Sequence, residues 1–251
     1  MLMSIFAATS SAEPLAAETV VNAGPLPVTN SMIYGVITAV FVLGLFYSAA
    51  RASQLWPKSR LAFYTESFIE LMLGLIIDSF GDRKKAMRHF PLLISLFVFI
   101  LACNLSGLIP GVGTITVDVE GTSTSLLRAF TTDLNSTLAL AVLTITTVQV
   151  YAIRELGIGG HIRHYFHNIK NPMNVFIGLN EVFGEILRLV TLSLRLFGVI
   201  YGGEALLHAI SNLAGNFGWA ATLPIMFLEI FFSIVQAYLF MMLTSTYLVM
   251  A

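Results

Sequence analysis

Long apolar stretches separated by short charged segments form the main pattern of this chain. Three stretches without any charged residue occupy about 32–50, 90–110 and 135–153, and two longer, largely apolar segments occupy about 172–211 and 220–250. At 1.5 Å per residue, a helix of about 20 apolar residues crosses the hydrocarbon core of a bilayer, which is about 30 Å thick. The pattern therefore predicts an all-α polytopic membrane protein with five transmembrane helices.

Two segments differ from a simple apolar span. Residues 61–80 combine apolar positions with Glu66 and Glu70, which is typical of an amphipathic helix at the membrane interface or against the bundle. Residues 172–211 contain no proline after the first position, and as one helix they would be about 60 Å long, about twice the hydrocarbon thickness. We therefore expect the last two helices to be long and tilted, and to form a hairpin through a turn at 212–219.

Charged residues are few and unevenly distributed. The chain has 13 Lys and Arg against 14 Asp and Glu, a net charge of −1, and these residues make up 11% of it, compared with about 25% in an ordinary soluble domain. Basic residues cluster at 51–60, 83–88 and 154–170, whereas the loop at 111–134 is acidic. Because short basic loops stay in the cytoplasm, the amino terminus is predicted outside and the carboxyl terminus inside.

The chain shows neither an internal repeat nor the pattern of a soluble active site. We interpret residues 1–28 as a polar tail and 29–251 as a single membrane domain. A lone cysteine, Cys103, excludes a disulfide within the chain, and Asn104 beside it is expected to hydrogen-bond a neighbouring helix. Without a GxxxxGK[ST] phosphate loop or a cysteine pair, no cofactor and no metal are predicted. Three histidines of the basic segment lack a carboxylate or cysteine that would complete a metal site, so a solvated or lipid-facing surface is favoured: His161, His164 and His167.

Two arginines lie inside the long apolar segment at 172–211. An arginine at membrane depth costs about 2.5–3.5 kcal/mol, and its guanidinium does not lose its proton. At about 100° per residue, both arginines share one helical face with small residues. This face contains Gly184, Arg188, Thr191, Arg195, Gly198 and Gly202. Small residues let another backbone approach closely, so we expect a partner that brings a carboxylate or a similar anion. The alternative is a packing seam with its arginines paired inside the chain.

A second set of polar residues follows two helical faces near the predicted outer side. Glu204 and His208 lie one turn apart on the face opposite Arg195, and the last segment carries Glu229, Ser233 and Gln236 at steps of four and three. In antiparallel helices, Glu229 could approach Glu204 and His208, and such groups can bind and release protons near neutral pH. The set is therefore a candidate path for proton uptake. A structural polar network between two helices is the alternative.

Several motifs resemble one known family. Ser193-Leu-Arg195-Leu-Phe-Gly198, followed by Tyr201-Gly-Gly-Glu204, resembles the signature of the a subunit of the rotary ATP synthase membrane sector. Three further segments resemble other parts of that family: Asn104 to Pro110, Thr132 to Leu140, and Gln236-Ala-Tyr238 with the ending Thr244 to Ala251. The resemblance covers about residues 30–251.

The resemblance implies a non-catalytic stator subunit that lies in the membrane beside a rotating ring of c subunits and is joined by peripheral-stalk b subunits. It implies that Arg195 faces the ion-carrying carboxylate of the ring, and that Glu204, Glu229 and Gln236 belong to the ion path. Arg188 matches a basic position before the motif. The chain departs from the family pattern at Val199, where asparagine is common, and in having two glutamates where a glutamate and a histidine are common.

The implied mechanism couples ion flow to rotation and so to ATP synthesis. A ring carboxylate is neutral in lipid and ionises beside Arg195, because a nearby opposite charge favours the ionised form. The proton leaves through one aqueous half-channel, and another is taken up from a second half-channel. The expected ion is H⁺ rather than Na⁺, with no nucleic acid partner. Because the sequence shows no targeting segment, the expected location is a bacterial plasma (inner) membrane with a periplasmic amino terminus. A self-contained transporter for an anion and a pure assembly scaffold are the alternatives.

Overall fold

Six helices form the body of the molecule in the computed structural model, which describes residues 17, 19–23, 26–52, 60–109, 112, 116–119, 122–125, 128–165 and 172–250. The helices are α1 Asn30–Ala52, α2 Arg60–Phe80, α3 Arg83–Gly107, α4 Leu134–Tyr165, α5 Pro172–Ala214 and α6 Gly218–Met250. Single 3₁₀ turns precede α4 and α6, at Phe130–Thr132 and Gly215–Phe217.

Four of these helices are long and apolar enough to cross a membrane: α1, α3, α4 and α6. The prediction of a helical polytopic membrane protein is therefore confirmed. The predicted count of five spans is not, although α5 is present as one continuous helix of 43 residues. Five charged residues interrupt its apolar character: Glu181, Glu185, Arg188, Arg195 and Glu204.

The hydrophobic core lies among α2 to α6. Its fully buried members include Ile76 of α2, Leu93 and Ile100 of α3, Leu196 of α5 and Phe240 of α6. Helix α1 lies at the periphery and exposes a broad apolar face, as expected for a helix whose surroundings are lipid rather than water. It is joined to α3 where the Tyr34 hydroxyl donates a hydrogen bond of 2.8 Å to the Ser106 carbonyl.

The amphipathic segment predicted at 61–80 is the helix α2, which packs against the bundle. Met72 and Ile76 join the core, and the Ser245 hydroxyl of α6 donates a hydrogen bond of 2.8 Å to Ser79 Oγ. Glu70 is exposed, whereas Glu66 is half-buried.

Three segments predicted to be irregular contain regular structure. The tail includes an antiparallel hairpin of β1 Thr19–Ala23 and β2 Leu26–Thr29, and the acidic loop includes a second hairpin of β3 Thr116–Val119 and β4 Thr122–Ser125. The basic segment after the third span continues α4 to Tyr165, beyond a kink at Gly157 where φ is 74°. The polarity of these three segments predicted loops, but two of them form paired strands and the third continues a helix.

Candidate functional site

Helices α5 and α6 form an antiparallel hairpin, as predicted. At the turn, where Gly215 has φ of 52°, a Cβ built on Gly218 would lie 3.0 Å from the Ser211 carbonyl oxygen. Further along, Gly203 contacts Glu229, and at the far end the Arg188 guanidinium stacks on the Tyr247 ring. From the turn onward, the contacts pair ever earlier residues of α5 with ever later residues of α6. The two helices therefore run antiparallel over nearly their whole length.

The face of α5 that carries Arg195 is open. Arg195, Thr191, Gly198 and Gly202 are exposed, and Gly184 is half-buried. A Cβ built on any of these three glycines would meet no atom within 4 Å. Within the described part of the chain, no hydrogen bond or ion pair holds the Arg195 guanidinium. At Arg195, therefore, the small-residue face is not a seam between the described helices.

The opposite face of α5 explains this orientation. Leu192, Ser193, Leu196 and Ile200 are buried against the rest of the bundle. At about 100° per residue, Ser193 and Ile200 lie about 140–160° around the axis from Arg195, and Leu196 lies about 100° from it. Burial of this apolar face against α4 and α6 points Arg195 away from the body of the chain.

Arg188 is placed differently from Arg195, although the sequence puts both on one stripe. Its guanidinium carbon lies 3.8 Å from the centroid of the Tyr247 ring, a cation–π contact worth about 0.5–2 kcal/mol. Arg188 is half-buried, and its charge is engaged within the chain. Of the two arginines, Arg195 is the one directed outward.

The polar stripe of α6 is buried inside the bundle. Glu229, Ser233 and Gln236 are 5%, 0% and 3% exposed. Glu229 Oε2, Ser233 Oγ and Gln236 Nε2 have no hydrogen-bond partner in the described structure. Because a buried polar atom without a partner costs about 1–3 kcal/mol, three in a row are expensive in a purely structural seam. Such a row suits a path in which water or a moving proton supplies the missing partner.

The stripe also leads toward Arg195. The Glu229 carboxyl lies against Gly203, where a built Cβ would be 2.9 Å from Oε1 and 3.0 Å from Cδ. From Glu229 to Gln236 the stripe covers about 10 Å along the axis of α6. The contact between Gly203 and Glu229 places Gln236 opposite residue 196 of α5, and the contact between Arg188 and Tyr247 places it opposite residue 199. The polar row therefore ends at the depth of Arg195, on the inner side of the hairpin.

The chain matches the family model of the ATP synthase A chain over residues 32–249. It belongs to this family. ATP synthase subunit a of Moorella thermoacetica is 34% identical over 225 residues, which are 90% of this chain and 91% of the relative. Subunit a of Desulfotalea psychrophila is 34% identical over 74% of this chain and 71% of its own length. ATP synthase subunit a 2 of a Bradyrhizobium species is 31% identical over 94% of both chains.

Membership of the ATP synthase A chain family confirms the identification made from the arginine motif. It also confirms that the protein is a non-catalytic membrane component of the ATP synthase complex, the Fo proton-channel subunit. Among the described residues, no group of three or more His, Cys, Asp or Glu is arranged to hold a metal ion. The three histidines of the basic segment lie outside the described side chains.

Glu204 and His208 are half-buried on α5, and each makes an interaction within the chain. Gly203, which contacts Glu229, is next to Glu204, so the two carboxylates lie at the same depth of the hairpin. Adjacent residues of a helix point about 100° apart, and the two carboxylates therefore approach from different sides of α5. Val199, next to Gly198 on α5, is half-buried.

The prediction for Asn104, near the end of α3, was wrong, and the ordered start of α4 escaped the sequence interpretation. Asn104 is buried, but its Oδ1 and Nδ2 atoms have no hydrogen-bond partner in the described structure, so the expected bond to a neighbouring helix is absent. The end of the predicted polar loop is buried: Arg128, Thr131, Thr132 and Asp133 are at most 3% exposed. The run Thr-Asp-Leu-Asn before an apolar segment is a helix-start signal, and it could have indicated an ordered cap here.

Proposed function

We propose that this chain is the proton-translocating stator subunit of a rotary ATP synthase, in which Arg195 faces the ion-carrying carboxylate of a c-subunit ring. The observation that carries the proposal is the open face around Arg195. Arg195 is exposed, and a Cβ built on Gly198 or Gly202 beside it would meet no atom within 4 Å. No ion pair or hydrogen bond of the described residues neutralises the charge of Arg195. A partner carboxylate would supply the missing counter-charge.

The electrostatics explain why an arginine serves at this place. The guanidinium stays cationic at any physiological pH, so the site cannot be switched off by losing its proton. A ring carboxylate that moves from lipid to Arg195 gains a nearby opposite charge, which favours its ionised form and releases its proton. A fixed cation between two aqueous half-channels also blocks a direct proton leak from one to the other.

The buried stripe of α6 supports the outer half-channel. Glu229, Ser233 and Gln236 offer a carboxyl, a hydroxyl and an amide that lead to the depth of Arg195, and their Oε2, Oγ and Nε2 atoms have no hydrogen-bond partner among the described residues. Glu204 and His208 stand on the same outer half of the hairpin and can exchange protons with water. Each elementary charge that crosses a potential of about 100 mV then supplies about 2.3 kcal/mol to bias rotation.

The partners, the transported ion and the location of the subunit follow from this role. The subunit works with the c ring and the peripheral-stalk b subunits within lipid, binds no nucleic acid, and carries H⁺ rather than Na⁺. The basic residues at the start of α3, and Arg154 at the end of the apolar part of α4, support a cytoplasmic position for these two points of the chain. With this orientation the amino terminus is periplasmic and the carboxyl terminus cytoplasmic in a bacterial plasma (inner) membrane.

Proton pumping driven by ATP hydrolysis in inverted membrane vesicles tests the proposal. Arg195→Ala is expected to abolish pumping while the amount of assembled complex stays normal. Arg154→Ala removes another exposed arginine and serves as the matched control, with pumping at the wild-type level. Retained coupling in Arg195→Ala would refute the proposed role.

The purified chain alone in liposomes separates this function from a self-contained transporter. A stator needs the ring, so little proton conduction and no anion transport are expected from the subunit by itself. Sustained anion uptake by the isolated chain would favour a transporter instead.

A further inference from the structure

A buried hydrogen bond joins α4 to α5 close to Arg195. Thr137 Oγ1 and Ser193 Oγ are 3.2 Å apart, and both side chains are at most 1% exposed. The Thr137 hydroxyl donates its hydrogen to the Leu134 carbonyl, 3.0 Å away. Because a hydroxyl has one hydrogen, Ser193 is the donor in the bond to Thr137.

The α4 end of this bond is firmly held. Asp133 precedes α4, and its Oδ1 accepts the backbone N–H of Asn135 at 3.2 Å. Its Oδ2 accepts hydroxyl hydrogen bonds from Ser136 at 3.1 Å and from Ser31 of α1 at 3.0 Å. A buried carboxylate with three donors, at a helix amino terminus whose dipole favours negative charge, makes this turn a fixed point between α1 and α4.

The α5 end of the bond lies on the other side of the helix from Arg195. Ser193 is two residues earlier, which is about 200° around the axis and about 3 Å along it. A group at the surface of a helix lies about 5–6 Å from the axis, so a roll of α5 by about 20° would move it by about 2 Å. Around Arg195 itself, the glycines of this face meet no atom of the described residues that would resist such a roll, and the described contact on this face is the stacking of Arg188 on Tyr247, about two turns away.

We propose that Thr137 and Ser193 are positioning residues that fix the rotation of α5 and thereby the place of Arg195 relative to the ring carboxylate. The inference rests on the proposed function of Arg195. The hydrogen bond contributes the directional part of the α4–α5 contact, whereas the apolar residues around it can slide. Its loss is expected to lower the ratio of correctly to incorrectly rotated α5 by about 2- to 12-fold.

Two measurements on the assembled complex test the idea. The first is ATP-driven proton pumping per ATP hydrolysed. The second is the ratio of photocrosslinking yields to the c ring from a photoreactive phenylalanine at Leu194 and at Val199, which flank Arg195 on the helix surface. Thr137→Val keeps the β-branched shape and removes the hydroxyl, and Thr137→Ser keeps the hydroxyl.

Thr144→Val is the matched control. Thr144 is buried on the same face of α4, and its hydroxyl donates within its own helix to the Leu140 carbonyl at 2.9 Å. The same substitution therefore removes a buried hydroxyl without removing a bond to α5.

If Thr137 positions α5, Thr137→Val should shift the crosslinking ratio and lower the protons pumped per ATP by up to about 12-fold. Thr137→Ser should show wild-type values of both quantities, and Thr144→Val should change neither. Ser193→Ala should reproduce the effect, and the double variant should be no worse than either single one. If Thr137→Val reduces assembly, Ser193→Ala carries the same measurements.

A wild-type crosslinking ratio in Thr137→Val and Ser193→Ala would overturn the inference, as would an equal loss in Thr144→Val. Both outcomes can be told apart from a failure of the proposed function. If the proposed function were wrong, complexes with Arg195→Ala would still pump protons normally.

Discussion

The buried carboxyl of Glu229 packs against α5 at Gly203, where the helix has no side chain. The variant Gly203→Ala tests this contact. A Cβ at position 203 would lie 2.9 Å from Glu229 Oε1, 3.0 Å from Cδ and 3.3 Å from Cγ. An ordinary van der Waals contact begins at 3.4 Å, so the carboxyl must retreat by at least 0.5 Å. The atoms that must move are the end of a flexible side chain rather than backbone.

The expected magnitude differs between stability and function. Alanine in place of glycine stabilises a helix interior by about 0.5–1 kcal/mol, which offsets much of the crowding, so the assembled complex should remain stable. Proton flux is more sensitive, because a misplacement of about 1 Å at a reacting group can lower a rate about 100-fold. For about half of that displacement we expect flux to fall on the order of tenfold.

Passive proton flux through Fo after removal of F1, in vesicles energised by a potassium diffusion potential, measures the effect. Glu229→Asp shortens the acid by one methylene and should partly rescue the flux of Gly203→Ala. Gly44→Ala, a glycine of α1 with no atom within 4 Å of its built Cβ, controls for the helix effect alone. Wild-type flux in Gly203→Ala, or no rescue by Glu229→Asp, would refute the assigned contact.

Four further variants test other parts of the site. Glu204→Gln and Glu229→Gln should each slow passive proton flux without reducing assembly, and unchanged flux in the double variant would show that both are structural. Gly198→Leu should weaken crosslinking to the c ring but leave the thermal stability of the isolated chain unchanged, since no atom of the described residues lies within 4 Å of a Cβ built on Gly198. Lower stability of the isolated chain would contradict the open face. Asp133→Ala should destabilise the folded chain by about 1–3 kcal/mol, because it leaves buried donors unpaired, and this is measured by denaturant unfolding in detergent. Unfolding at the wild-type concentration would argue against the cap.

Much of the architecture follows from hydrophobic length alone. The apolar stretches that became α1, α3, α4 and α6 are each long enough to cross the bilayer, and a helix is the structure that satisfies its own backbone there. The hairpin of the last two helices also followed from the pattern, since one short glycine-containing turn separates two long helical segments. Such features depend on neighbours in sequence.

The polar ends of the helices were predicted less well. Composition indicated loops at the tail, in the acidic segment and in the basic segment, but the structure has two β-hairpins and a continuation of α4 to Tyr165. The bond from Ser31 to Asp133 joins residues 102 positions apart, and no local pattern indicates such a contact.

The sequence by itself determined that two arginines and a row of small residues share one face of a long helix, and that this motif belongs to the ATP synthase A chain family. Only the tertiary structure decided that Arg188 stacks on Tyr247, whereas Arg195 is left on an open surface. Helical periodicity fixes the direction of each side chain about its own axis. Which directions are covered depends on where the other helices pack, and this is set by contacts between residues distant in the chain.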